Sequence, residues 1–135
     1  MSKKNILVPI DESERAIHSI EFIKSFFPKE SVTITLMNVQ VIVSINGFEY
    51  ESDIYIATEK SKRILENAKF LLKDYDVKTY YTVGHAPTEI LEKAKEDNSD
   101  IIVMAKSNKK GLSRLIGSVT SGVIKGSDCI VMVVP

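Results

Sequence analysis

The apolar positions change period along the chain, and the changes come in a repeating order. Ile6, Leu7, Val8 and Ile10 form a branched apolar run without alternation, the pattern of a strand buried on both faces. Pro9 belongs near the end of that strand, because proline cannot donate to the ladder. Asp11 and Glu14 follow with capping-box spacing, ahead of a helical stripe of Ala16, Ile17, Ile20, Ile23 and Phe27 that Pro28 stops. Residues 31–39 read as a second strand. Within 40–52, Val41, Val43 and Ile45 alternate, Asn46-Gly47 is a turn signal, and Phe48 and Tyr50 alternate after it. That segment is a small hairpin or a long loop, and either a lid or an ordinary insertion.

Ile54, Ala57, Ile64, Leu65, Ala68, Leu71 and Leu72 mark one face of a helix over 54–75. Residues 77–83 form a third strand closed by Gly84, and Pro87 suits the first turn of a helix carrying Ile90, Leu91 and Ala94. A fourth strand covers 100–105. Leu115, Ile116, Val119, Val123 and Ile124 give a last helical stripe ended by Gly126, and 129–134 is a fifth strand. The order is strand–helix four times and a final strand. It predicts a single α/β domain over 1–135, with a doubly wound parallel sheet, right-handed crossovers and helices on both faces. Such sheets bind ligands at the carboxyl ends of their strands, where the strand order reverses. Those ends fall at 9–11, 39–40, 84–85 and 105–117.

Charge narrows the partners. Lys plus Arg and Asp plus Glu are 18 each, for a formal net charge of zero, so there is no electrostatic case for binding nucleic acid or an anionic membrane. No apolar run nears the ~18–20 residues that span a bilayer, and the amino terminus does not read as a signal peptide. The lone cysteine, Cys129, excludes an internal disulfide framework and reads as a small buried apolar residue. These features predict a cytoplasmic protein.

The stretch "KSNKKGLSRLIGSVTSG" (106–122) holds the densest candidate chemistry. Gly117, Ser118 and Thr120 open a helix with backbone N–H groups and hydroxyls that suit a phosphate, and Lys106, Lys109, Lys110 and Arg114 add positive charge. The same residues also suit a plain N-cap and a solvated loop. A Walker loop is excluded because Ser118, not lysine, follows Gly117. A Gly-x-Gly-x-x-Gly fingerprint is excluded because Pro9-Ile10-Asp11 follows the first strand. A phosphoacceptor domain lacks its aspartate, since the third strand ends Thr82-Val83-Gly84. No Gly-x-Ser-x-Gly elbow is present. His18 lies within the first helix, and His85 at a strand end has no nucleophile partner. One cysteine and two histidines make no metal set, and no residue is assigned a catalytic role.

Three blocks, "ILVPIDESE", "GHAPTEILEKAKEDNSDIIVMA" and "GLSRLIGSVTSGVIKGSDCIVMVVP", resemble the universal stress protein family across essentially the whole chain. The resemblance implies an adenine nucleotide alpha hydrolase-like sheet of five parallel strands in order 3-2-1-4-5 with four helices. It also implies a homodimer, often through the last strand, here 129–134. Some members of that family bind ATP and some do not, and their roles concern stress response and signalling. Pro9, Asp11 and Val39 match the family's adenine-side positions, and Met104 its apolar residue before the phosphate loop. The loop of ATP-binding members is Gly-x-x-Gly, nine residues, then Gly-Ser or Gly-Thr. Ala105 and Asn108 stand at its two glycines, eight residues separate Asn108 from Gly117, and Gly117, Ser118, Val119 and Thr120 keep its end. Two expectations stand together. One is a stress-response regulator that binds ATP or AMP, with Mg²⁺, through these residues. The other is a dimeric scaffold of the same fold without nucleotide.

Overall fold

The computed structural model describes residues 2–41, 51–106 and 117–135, with the side chains of all but 51–53. The elements are β1 (Lys4–Pro9), α1 (Arg15–Phe26), β2 (Val32–Gln40), α2 (Glu51–Leu71), β3 (Asp76–Val83), α3 (Ala86–Glu96), β4 (Ile101–Ala105), α4 (Ser118–Gly126) and β5 (Ile130–Val134). A short 3-10 turn, Lys29–Ser31, leads into β2. The strands form one sheet in the order β3-β2-β1-β4-β5, and every pairing is parallel. The predicted doubly wound architecture is therefore present, with the predicted strand order.

β1 lies at the centre, and the two faces of its apolar run feed two cores. Ile6, Val8 and Ile10 join Ile20 and Ile23 of α1 and Leu65 and Ala68 of α2 on one face. Leu7 joins Ile90 and Ala94 of α3, Met104 of β4 and Val123 of α4 on the other. This is why the run does not alternate: both faces of a central parallel strand are covered. Pro9 is the last residue of β1, as its missing N–H requires.

Several boundaries differ from the pattern, for identifiable reasons. The capping box before α1 does not form. Asp11 Oδ1 instead accepts from the Ser13 N–H at 2.8 Å, an Asx turn that bends the chain before the helix. Glu14 takes the N-cap position without a side-chain bond, and the first helical bonds are i+3 bonds, Ala16 N–H to Ser13 O and Ile17 N–H to Glu14 O, both 3.2 Å. Ile17 stands at 45 % exposure, and Ile54 and Ile124 are also exposed, so each stripe is wider than the face it buries. α2 ends at Leu71 rather than 75, because the chain turns there: Tyr75 N–H donates to Leu72 O, and its hydroxyl to Phe27 O at 2.6 Å. β5 begins at Ile130, and Cys129 is partly buried rather than buried, its N–H held by Ser127 Oγ at 3.0 Å.

Two packing details generate tests. Ser19, at 0 % exposure on α1, is among the described residues the one whose buried side-chain oxygen has no hydrogen-bond partner. Ser19→Ala removes an unsatisfied hydroxyl and adds helix propensity, so it should raise unfolding free energy by about 1 kcal/mol in urea titrations; a loss of stability would contradict the burial. On α4, a Cβ at Gly122 would sit 3.0 Å from Pro87 Cβ on α3. Gly122→Val should therefore lower stability by about 1–3 kcal/mol, and an unchanged denaturation midpoint would show that α4 and α3 are not so closely apposed.

Candidate functional site

The crossovers after β1 and β4 leave the sheet on opposite faces, so the carboxyl edge opens between these two strands. Their register, Ile6 with Ile101 and Leu7 with Ile102, brings Pro9 and Met104 level two residues further on. Pro9 itself pairs with Met37, and Val39 lies two residues beyond on β2. Val39, Met104 and Val119 belong to one apolar cluster on the α3/α4 side. They give the edge an apolar floor. Ala105 is the last residue of β4, and the Lys106 N–H continues along β5 by donating to Val134 O at 2.7 Å.

Helix α4 begins at this edge. Gly117 is its N-cap, with φ −58° and ψ 160° and no side-chain cap bond. That conformation is open to any residue, so what glycine supplies is the missing Cβ, not handedness. Ser118 is exposed, Val119 partly buried and Thr120 buried. The leading N–H groups of a helix have no intrahelical acceptor, and the helix dipole favours an anion there. Asn108, Lys109, Lys110, Gly111 and Arg114 of the predicted cradle lie outside the described residues, as does most of the 40–52 segment.

Asp11 stands in the turn after β1 and is exposed, with its carboxylate oriented by the Ser13 amide. Next to it, Glu12 Oε1 pairs with Lys60 Nζ of α2 at 3.0 Å. The same turn borders a cleft of about 410 Å³ between α1 and α2, walled by Ile17, Arg63, Ile64 and Leu71. Asp11 thus stands over the α1/α2 layer, while Val39, Met104 and Val119 lie in the other. His85 precedes α3 and engages its own helix, with Nδ1 2.9 Å from Thr88 Oγ1. His18 Nδ1 lies 3.3 Å from Pro135 O. Among the described residues no three His, Cys, Asp or Glu side chains gather as a metal set, and no helix is long and apolar enough to cross a membrane.

Sequence reasoning missed a buried polar node beneath the turn. Asn38, 2 % exposed on β2, donates through Nδ2 to Ile10 O at 2.8 Å. Its Oδ1 accepts from Ser61 Oγ of α2 at 2.6 Å and from Gln40 Nε2 at 2.7 Å. Ser61 is 0 % exposed. The Gln40 carbonyl in turn accepts from Gly84 N–H at 3.0 Å, tying in the end of β3. Each group left unpaired here would cost about 1–3 kcal/mol. A signal existed. Asn38 continues the inward series Val32, Ile34, Leu36, and Ser61 lies one helical turn before Leu65 in the stripe that runs on to Ala68 and Leu72. A polar residue in phase with the core marks a buried hydrogen bond.

The model of the universal stress protein family matches residues 3–135. Universal stress protein MJ0577 of Methanocaldococcus jannaschii is 32 % identical over 152 residues, covering 97 % of this chain and 94 % of the relative. A solved structure of MJ0577 superposes with a TM-score of 0.85 at 34 % identity, covering 99 % of this chain and 96 % of the other. A universal stress protein in complex with cAMP matches with a TM-score of 0.79 at 17 % identity, covering 100 % of this chain and 99 % of that one. The Archaeoglobus fulgidus universal stress protein in complex with dAMP matches at 0.72 and 21 % identity, covering 100 % of each. The doubly wound sheet is the adenine nucleotide alpha hydrolase-like fold of these structures. Sheet order, whole-length family match and a relative of this identity agree, and the chain belongs to the universal stress protein family.

Proposed function

We propose that this protein is a cytoplasmic stress-response regulator that binds an adenine nucleotide, ATP or AMP, at the carboxyl edge between β1 and β4. The observation that carries the reading is the start of α4. Gly117, which has no Cβ, and the exposed Ser118 present a helix N-terminus at that edge, beside the apolar floor of Val39, Met104 and Val119. The adenine ring lies on the floor beside Pro9, with Asp11 and the backbone near Val39 reading its polar edge. The α4 N-terminus, with Ala105 at the end of β4 and Asn108 following it in the sequence, holds phosphate. A Mg²⁺ ion accompanying a triphosphate would be held mainly by phosphate oxygens and water, since such ions keep several waters. The cAMP and dAMP complexes on the same fold support an adenine ligand.

Titration calorimetry with AMP, ADP and ATP plus Mg²⁺ tests the reading. The expected result is micromolar affinity, weakened at least about tenfold, or ~1.4 kcal/mol, in Gly117→Val/Ser118→Ala. No heat and no thermal shift, or an unchanged affinity in the double variant, would overturn it.

One feature favours a second use of the fold, as a dimeric interaction module. β5 is an edge strand, and Ile130 on it is 61 % exposed. An apolar edge invites pairing with the same strand of a second copy across a two-fold axis. Sedimentation should show a dimer that Ile130→Lys converts to monomer; a dimer that survives the substitution would place the interface elsewhere.

A further inference from the structure

The buried node beneath the β1–α1 turn has a direction as well as a strength. Ile10 N–H donates to Met37 O at 2.8 Å, and Ile10 O accepts from Asn38 Nδ2 at 2.8 Å, so both polar groups of Ile10 point toward β2. The peptide joining Ile10 to Asp11 is planar and trans. Pinning its carbonyl toward β2 therefore aims the Asp11 N–H the opposite way, toward the β4 side, into the crevice where the strand order reverses. Ordinary strand pairing does not do this work, because β1 ends at Pro9 and its pairing with β4 ends at Leu7. A side chain replaces the ladder at the one peptide that carries the turn.

The amide of Asn38 is itself fixed. A free amide rotates by half a turn and exchanges its donor for its acceptor. Here Oδ1 takes two donors, Ser61 Oγ and Gln40 Nε2, so Nδ2 must face Ile10 O. Ser61 belongs to α2, a helix that contributes no residue to the apolar floor. The geometry points to Asn38, oriented by Ser61, as the positioning residue that sets the β1–α1 turn and thereby the affinity for the nucleoside end of the ligand. This rests on the nucleotide reading above and adds a residue and a helix to it. Phosphate held at the start of α4 stands outside the node's reach, so the two ends of the ligand should respond differently when the node is broken.

The test is a set of titrations with AMP and with inorganic tripolyphosphate, on wild type, Asn38→Asp and Ser61→Ala, with amide hydrogen exchange at Ser13 measured without ligand. Asn38→Asp sets a carboxylate oxygen against the Ile10 carbonyl. It should weaken AMP at least about tenfold while tripolyphosphate changes by less than about twofold. Ser61→Ala keeps Asn38 and disturbs the core least, so it keeps the test usable if the first variant does not fold; about threefold weaker AMP is expected. Exchange at Ser13, whose N–H is held by Asp11, should speed up in both. Parallel weakening of both ligands would show a merely structural role and overturn the proposal. So would unchanged AMP affinity or unchanged Ser13 exchange in folded variants. Absence of AMP binding in the wild type would overturn the nucleotide reading itself, and this inference with it, before any variant is made.

Discussion

A parallel sheet cannot turn back on itself through short loops. Each return from the end of one strand to the start of the next must pass over a face, and right-twisted strands make that passage right-handed. Once β2 is placed on one side of β1 and β4 on the other, the face of every helix follows. α1 and α2 cover one layer and α3 and α4 the other. The crevice between β1 and β4 is where the two directions part. The apolar floor, the turn at Asp11 and the start of α4 all lie at that edge because of this one topological reversal.

The reversal creates a crevice but does not organise it. β1 loses its ladder partner on the β4 side after Leu7, and Pro9 has no N–H to give. Beyond the Ile10 N–H bond to Met37 O, a turn left at that point would be held by its own Asx bond and the exposed Glu12–Lys60 pair, neither of which fixes the Ile10 carbonyl. Asn38 supplies the missing restraint from the neighbouring strand, and it can do so only because α2 buries it and Ser61 fills its acceptor side. A polar group so placed is costly unless every bond is made. Helix α2, remote from the floor, is thereby made part of the site's support. Stability and ligand geometry share a single residue.

Much of this was legible from the chain alone. Central strands announce themselves as unalternating apolar runs because both faces are covered, and β1 is read that way from Ile6, Leu7, Val8 and Ile10. The glycines, prolines and helical stripes placed all four helices, because each marks a local backbone requirement. Helix starts and exposed stripe positions such as Ile17 were less legible: they depend on how far two helices splay, which is a tertiary property. The capping box failed because Asp11 found a nearer donor in Ser13. Of the candidate residues, Val39, Met104 and Val119 share one cluster, while Pro9, Asp11, Ala105 and Gly117 to Thr120 reach the same edge from three elements and their flanking turns. Asn38 and Ser61 went unread because a strand or helix pattern is judged by its apolar members. The informative residues were the polar ones in phase with them.

Amide chemical shifts recorded while AMP is titrated into the protein test the location of the site most directly. The account predicts that the perturbed amides are those of Asp11, Val39, Ala105 and Ser118 to Thr120, along one edge of the sheet. Perturbations centred instead on Ile17, Arg63 and Leu71 would put the ligand in the cleft between α1 and α2 and contradict it.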